Sequence, residues 1–160
     1  MGHHSMHPVF ASAAESLHPS FNALVAMSPL KPLLLPKSTP KAGIYLLSEG
    51  TQHLYVGRSN RIRERLRNHC RVGATHKMAA FAFRLARIHT GQLKATYKPE
   101  GSRDHLMMDP DFRAAFEASK ARIRDMDVRF VEEADPVRQA LLEVYVAIAL
   151  GTPHNDFDTH

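Results

Sequence analysis

Tyr45, Tyr55, Arg65 and His69 are four chemically capable side chains within one short stretch of the sequence. Nine residues separate the two tyrosines, and Arg65 and His69 are four residues apart. A phenol or an imidazole can relay a proton, and a guanidinium presents a planar fork of donors to anionic oxygens. Together these groups could act on a phosphodiester.

The two tyrosines lie on apolar runs that are typical of β-strands. Residues 43–48 and 53–57 are rich in β-branched and aromatic side chains, and the turn-like residues 48–51 lie between them. This pattern predicts a β-hairpin. Because side chains alternate along a strand, Tyr45 and Leu47 should lie on one face of the sheet.

Arg65 and His69 lie on a predicted helix over residues 61–70. Its apolar residues recur every four positions, starting with Ile62 and Leu66. Arg65 and His69 share that spacing, so we expect them one turn apart on a neighbouring stripe of the helix.

The remaining sequence predicts three more helices and a third strand. These elements are expected at about 76–88, 110–123, 128–131 and 136–150. Periodicity predicts which residues of each helix face a core. They are Met78, Phe81, Leu85 and Ile88 in the first of these helices, Phe112, Ala115, Phe116, Ser119 and Ile123 in the second, and Leu141, Val144, Tyr145 and Ile148 in the last. The order of elements predicts an α+β fold, with a small three-stranded sheet that contains antiparallel strands and is flanked by helices.

The chain of 160 residues is long enough for one domain with an appendage. Residues 1–40 hold most of the prolines and little apolar periodicity, which predicts a mobile N-terminal arm. We assign no function to residues 1–7, whose three histidines resemble a purification tag. The folded domain is expected at 41–160, with a helical insertion at about 72–126.

Charge and cysteine content narrow the class of protein. The formal net charge of +5 favours an anionic partner. Cys70 is the single cysteine, so no internal disulfide can form, and a reduced cytoplasmic setting is expected. No apolar run reaches the length that spans a membrane.

Basic residues concentrate around Arg65. Residues 58–71 contain six arginines and a single acid, Glu64. The candidates for phosphate contacts are Arg58, Arg61, Arg63 and Arg67. Such contacts would make nucleic-acid binding salt-sensitive. The alternative is a solvated basic face.

Two tripeptides and three later residues together resemble the GIY-YIG nuclease family. The tripeptides are Gly43-Ile44-Tyr45 and Tyr55-Val56-Gly57, and Arg65, Glu143 and Asn155 follow in the family's order. The resemblance covers roughly residues 41–157. It implies an endonuclease that hydrolyses phosphodiester bonds in DNA with Mg²⁺ or Mn²⁺, although the pattern does not separate DNA from RNA.

The resemblance also implies a role for each matched residue. Arg65 would stabilise charge on the phosphate, Glu143 would hold the metal, and Tyr45 with His69 would handle the proton. Tyr55 would orient water or phosphate. The supporting residues would be Gly43, Gly57 and Asn155.

Each assignment has a plainer alternative. The tyrosines could fill a core, Arg65 could be a solvated surface residue, and His69 could stabilise the C-terminal end of its helix. Glu143 could face solvent beside Gln139. For the whole protein, the alternatives are a non-catalytic nucleic-acid-binding module of the same fold and a structural or interaction protein. The identity of the general base stays open.

Overall fold

Seven helices and three strands are formed by the residues that the structure, a computed structural model, describes, which are 5–92 and 102–157. The helices are α1 (Pro8–Glu15), α2 (His18–Ala26), α3 (Ile62–Cys70), α4 (Ala80–Thr90), α5 (Arg103–Leu106), α6 (Pro110–Arg124) and α7 (Pro136–Leu150). The strands are β1 (Gly43–Glu49), β2 (Gln52–Ser59) and β3 (Asp127–Glu132). The predicted α+β class is confirmed.

The sheet is antiparallel, with β1 in the centre of the order β2-β1-β3. β1 and β2 form the predicted hairpin through the two residues after Glu49, where Gly50 has φ 59°. A left-handed backbone of this kind favours glycine. Both faces of β1 are buried, because Tyr45 and Leu47 on one face and Ile44 on the other are all close to fully covered.

The chain divides into two compact units. The first comprises the described residues of Met1–Leu30, Ser38–Ile62 and Asp127–His160, and the second comprises those of Lys31–Lys37 and Arg63–Met126. The core of the first unit consists of Leu17, Leu24, Ile44, Leu46, Val56, Leu142, Val146 and Ala147. It joins one face of the sheet to α2 and α7.

The predicted inward face of α7 is wrong in part. Val144 and Ile148 are 41% and 77% exposed, whereas Leu142 and Val146 are fully buried. Leu141 and Tyr145 are half-buried. Apolar residues occupy several stripes of this helix, so periodicity alone did not select the stripe that packs on the sheet.

The N-terminal segment departs from the mobile arm that the sequence predicts. Its described residues form α1 and α2, and Leu17 and Leu24 enter the core. Each helix has a proline at its first or second position, where a missing N–H and a fixed φ suit a helix start. The prolines that suggested irregular chain therefore begin helices.

The chain after α2 covers the outer edge of β3. Leu30 exchanges two backbone hydrogen bonds with Val128, at 2.9 and 2.7 Å. Arg129 donates through Nε to the carbonyl of Met27 at 2.9 Å. This edge of the sheet is thereby paired instead of being left open.

The second unit is built on α4 and α6. The α6 residues predicted to face a core are all buried, and they are Phe112, Ala115, Phe116, Ser119 and Ile123. Of the predicted inward residues of α4, Phe81 and Leu85 are buried, but Ile88 is 46% exposed. Lys120 is buried and donates to the carbonyls of Val72 and Ala74, both at 2.8 Å.

Across the described residues, no helix combines the length and the apolar character that crossing a membrane requires.

Candidate active site

Tyr45 and Gly57 are direct partners in the β1–β2 register. The Tyr45 ring crosses the backbone of β2 at this point. A methyl group on Gly57 would overlap Cζ and Oη of Tyr45 and lie 2.8 Å from Cε2. Only a residue without a side chain leaves room for the ring. Gly57, which ends the second tripeptide, therefore provides the space that Tyr45, which ends the first tripeptide, occupies.

Tyr55 lies on the same face of the sheet as Tyr45, because it pairs with Leu47 of β1. The two tyrosine ring centroids are 6.3 Å apart, with the rings inclined by 41°. Tyr45 is buried, and Tyr55 is half-buried. The burial of Tyr45 suits a core residue as well, whereas Tyr55 keeps contact with solvent.

Gly43 is required by the close approach of β3. A methyl group at Gly43 would overlap the carbonyl oxygen of Val131 and lie 3.0 Å from Cα of Glu132. The first tripeptide therefore starts with the residue that lets all three strands pair at this end of the sheet.

Asn155 pairs with the outer edge of β2 as a neighbouring strand would. Its Oδ1 accepts from the backbone N–H of Val56 at 2.9 Å, and its Nδ2 donates to the carbonyl of Val56 at 2.6 Å. Thr152 donates to the same Oδ1 at 2.7 Å, and the N–H of His154 donates to the carbonyl of Leu54 at 3.2 Å. Asn155 thus holds the peptide between Tyr55 and Gly57.

Glu143 on α7 is half-buried. Burial raises the pKa of its carboxyl, and the charge of Arg58 opposes that rise. Gln139, one turn earlier, is 3% exposed and donates to Asn60 Oδ1 and to the carbonyl of Glu133. Glu143 and Gln139 therefore do not form a pair of solvent-exposed side chains.

A single carboxylate of this kind fits Mg²⁺, which favours oxygen ligands and keeps several waters. A cation beside Glu143 would offset the cost of holding its charge in a half-buried position. The described residues contain no group of three or more His, Cys, Asp or Glu side chains that could enclose a metal. Phosphate oxygens and water are the ligands that would complete the shell of Mg²⁺ held by one carboxylate.

Arg65 and His69 belong to the second unit and lie one turn apart on α3, as predicted. Arg65 is half-buried and donates through Nη1 to the carbonyl of Met78 at 2.8 Å. His69 is fully buried with its ring edge-on to Phe81, at 6.4 Å between centroids. Burial, and then the charge of Arg65, lower the pKa of His69 to about 3. His69 is therefore neutral at pH 7, which excludes the alternative of a charged residue at the helix C-terminus.

The four arginines predicted to contact phosphates differ in exposure. Arg58, Arg61 and Arg67 are exposed. Arg63 is half-buried, and its Nε donates to the carbonyl of Leu35 at 3.1 Å. Arg58 is also partly engaged, because its Nη1 donates to the carbonyl of Pro136 at 3.4 Å. The exposure of Arg58, Arg61 and Arg67 nevertheless allows an external anion to reach them.

The predicted site residues fall into two sets. The first unit holds Tyr45, Tyr55, Glu143, Asn155 and both glycines, whereas the second unit holds Arg65 and His69. Sequence reasoning missed Thr152 and the Met78 carbonyl. The hydroxyl of Thr152, three residues before Asn155, could have been recognised from the sequence as a hydrogen-bond partner. The Met78 carbonyl could not, because every residue has a backbone carbonyl.

Comparisons with protein-family models, with curated proteins and with solved structures find no match. The resemblance to the GIY-YIG nucleases therefore depends on the matched residues and on the positions that they occupy in the fold.

Proposed function

We propose that this protein is a divalent-metal-dependent endonuclease that hydrolyses phosphodiester bonds in DNA. The observation that carries the proposal is the seating of the Tyr45 ring on Gly57, with Tyr55 on the same face of the sheet. This packing accounts for the glycine and the tyrosine of the second tripeptide and for the tyrosine of the first.

In the first unit, the two tyrosines and Glu143 have separate roles. Tyr45 is buried and relays the proton of the attacking water, and the half-buried Tyr55 orients water or phosphate. Glu143 holds Mg²⁺ or Mn²⁺. When bound, such an ion neutralises charge on the phosphate and makes water a better nucleophile. Asn155 supports Tyr55 by holding the neighbouring peptide of Val56.

In the second unit, Arg65 stabilises the charge that develops on the phosphate oxygens. Its hydrogen bond to the carbonyl of Met78 fixes the guanidinium while leaving other N–H groups for the phosphate. His69, with a pKa of about 3, is a weak base. We therefore propose that His69 accepts a hydrogen bond and that Tyr45 is the main residue that relays the proton.

Arg58, Arg61, Arg63 and Arg67 hold the DNA backbone. Each phosphate contact that is removed should reduce the slope of log affinity against log salt by about one. Because Arg63 is the least exposed of the four and already donates to Leu35, we expect the smallest change from Arg63→Ala. An unchanged slope in the four-site alanine variant would contradict this assignment.

The test is incubation of the pure protein with supercoiled plasmid, with Mg²⁺ and with excess chelator. We expect nicked and linear products in Mg²⁺ only. Glu143→Gln should bind DNA but not cut it, and Glu132→Gln, which removes an exposed carboxylate of the same unit, should cut normally. Arg65→Ala should lose cleavage by about 10²–10³-fold, as for other electrostatic donors, with binding largely kept.

Other outcomes identify the alternatives. Salt-dependent DNA binding without cleavage in any condition would indicate a non-catalytic nucleic-acid-binding module. An absence of DNA binding would indicate a structural or interaction protein. Normal cleavage by Glu143→Gln would remove Glu143 from the reaction.

A further inference from the structure

A short turn in the second unit, Lys31–Lys37, consists of leucines between two prolines and two lysines. We call it the leucine turn. The N–H of Leu34 donates to the carbonyl of Lys31 at 3.0 Å and closes a β-turn with Pro32 at its second position. Proline suits that position because its ring fixes φ. The backbone of the turn is therefore well defined, and its residues have no role in the proposed catalysis.

Two of the three leucines in this turn are exposed. Leu33 and Leu34 are 43% and 74% exposed, whereas Leu35 is 4% exposed and anchors the turn. Burying a leucine side chain that water now surrounds is favourable. The turn therefore presents an apolar tip, and the free energy of burying that tip is still available to a partner.

Side chains from two helical regions hold the leucine turn in place. Lys31 donates through Nζ to the carbonyl of Asp125, the residue after α6, at 2.7 Å. At the other end of the tip, Arg63 on α3 donates through Nε to the carbonyl of Leu35 at 3.1 Å. A segment that is already fixed loses little conformational entropy when it binds.

Positive charge lies at the Leu35 end of the turn. Arg67 is exposed and lies one helical turn after Arg63, so the two side chains are neighbours on α3. Lys37, at the end of the turn, is exposed as well. The acidic residue Asp125 lies at the Lys31 end. A complementary partner would therefore offer an apolar opening with negative charge along one side.

We propose that the leucine turn is a wedge that enters a base step of duplex DNA, with Leu34 as the inserted side chain. Apolar wedges of this kind partly unstack a base step from the minor groove while cations contact the phosphates. The inference rests on the proposed function, in which Arg63 and Arg67 hold the DNA backbone. A membrane surface fits less well, because amphipathic helices are the usual membrane-surface segments and this turn exposes only two leucines.

The wedge defines a class of substrate. The free energy needed to unstack a base step depends on its sequence: pyrimidine–purine steps such as TA deform easily, whereas A-tracts are stiff. A protein that inserts Leu34 should therefore favour duplexes with a deformable step, without hydrogen bonds that read the bases.

The first experiment observes unstacking without cleavage. Full-length protein in excess chelator is titrated into a short duplex that carries 2-aminopurine in a TA step, since this adenine analogue becomes more fluorescent when it loses its stacking partner. We expect a large rise with wild type and little rise with Leu34→Ala. Met108→Ala is the matched control, because Met108 is 73% exposed in the same unit, and it should keep the rise. Equal rises in Leu34→Ala and wild type at saturating protein would overturn the proposal.

The second experiment separates the wedge from the phosphate contacts. Leu34→Ala should weaken binding to the TA duplex by about tenfold, because one leucine side chain is no longer buried. The slope of log affinity against log salt should stay unchanged, since no charge is removed. Arg67→Gln should instead reduce that slope by about one and keep the fluorescence rise at saturating protein.

A comparison of two duplexes tests the substrate class. Wild type should bind the TA duplex more tightly than an A-tract duplex of the same length, and Leu34→Ala should bind both equally. If Leu34→Ala keeps the preference of wild type, Leu34 does not sense the deformability of the DNA and the proposal is wrong.

The wedge and the nuclease can fail separately. A fluorescence rise that requires Leu34, without plasmid cleavage in Mg²⁺, would support the wedge and refute the nuclease. Plasmid cleavage with no rise in wild type would refute the wedge and leave the nuclease standing. The absence of DNA binding would refute both. Binding to phosphatidylserine–phosphatidylcholine vesicles in place of DNA, lost in Leu34→Ala, would identify the turn as a membrane contact and also overturn the wedge.

Discussion

A methyl group at position 57 would occupy space that the Tyr45 ring already fills. In Gly57→Ala the new Cβ would overlap Cζ and Oη of Tyr45 and approach Cε2 to 2.8 Å. Carbon atoms in ordinary contact are about 3.5–4.0 Å apart. Because Tyr45 is 1% exposed, the ring has no solvent-filled space to enter. Either the ring moves by about 1 Å or β1 and β2 separate locally.

The expected cost follows from overpacking. Extra methyl groups in a packed core typically cost about 1–3 kcal/mol. For a chain of this size, a loss of 1 kcal/mol lowers Tm by about 2–4 °C, so Gly57→Ala should melt roughly 2–12 °C below wild type. Thermal and urea unfolding followed by far-ultraviolet circular dichroism measure this directly. Gly73→Ala is the matched control, since its methyl would meet only Nη1 at the far end of the Arg71 side chain, and it should melt close to wild type.

A double-mutant cycle shows whether the cost comes from the Tyr45 ring. Tyr45→Ala removes the ring, and Gly57→Ala added to it should cost little further free energy of unfolding. The coupling should be about 1–3 kcal/mol, within the range for residues in contact. If Gly57→Ala costs the same free energy with and without the ring, the cost does not come from contact with Tyr45. In the proposed nuclease, a displacement of 1 Å should also slow cleavage by about 10²-fold.

Three further predictions concern burial and charge. Burial raises the pKa of Glu143, so the folded protein favours the uncharged carboxyl more than the unfolded chain does. Glu143→Gln should therefore raise the free energy of unfolding at pH 7. Urea titrations at several pH values should show this gain disappearing below about pH 4.5. His69 has a pKa lowered from 6.5 to about 3, so stability should fall as pH decreases from about 6.5 towards 3, by up to about 1.4 kcal/mol per pH unit. His69→Asn should lack this part of the pH dependence, and equal slopes in the two proteins would contradict it. Leu24→Ala removes a fully buried side chain and should cost about 2–5 kcal/mol in urea unfolding, whereas Val9→Ala, at a 73% exposed position of the same segment, should cost under about 0.5 kcal/mol.

The hairpin and the α6 face could be predicted because their signals are local. β1 and β2 are adjacent in sequence, and the turn at Gly50 lies between two apolar runs. In α6 the apolar residues occupy one stripe, so a single face could be buried. In α7 the apolar residues occupy several stripes, and only contact with the sheet determines that Leu142 and Val146 are the buried ones.

The N-terminal helices were not predicted because proline has opposite effects at different positions of a helix. Within a helix it breaks the hydrogen-bond ladder, but at the first turn it begins one. Pro8 and Pro19 are of the second kind. Leu17 and Leu24 then gain their burial from α7 and the sheet, which are distant in sequence, so no local pattern reveals them.

Parts of the candidate site show the same limit. The seating of Tyr45 on Gly57 follows from the hairpin register, which the sequence makes predictable. The pairing of Asn155 with Val56 joins residues far apart in the chain, and nothing in the local sequence of either indicates the other. Long-range hydrogen bonds of this kind depend on where the chain goes after α7.

Glu143 offers a way to separate a functional residue from a structural one. A carboxylate kept for the fold would be expected to gain partners on burial, and its pKa would fall. The pKa of Glu143 rises instead, because loss of water outweighs the attraction of Arg58. Its charge therefore makes the free protein less stable, a pattern that is common where a site is kept ready for a ligand. If Glu143→Gln is more stable than wild type and no longer cleaves DNA, the charge serves the reaction. If it is more stable and cleaves normally, the charge serves neither the fold nor the reaction.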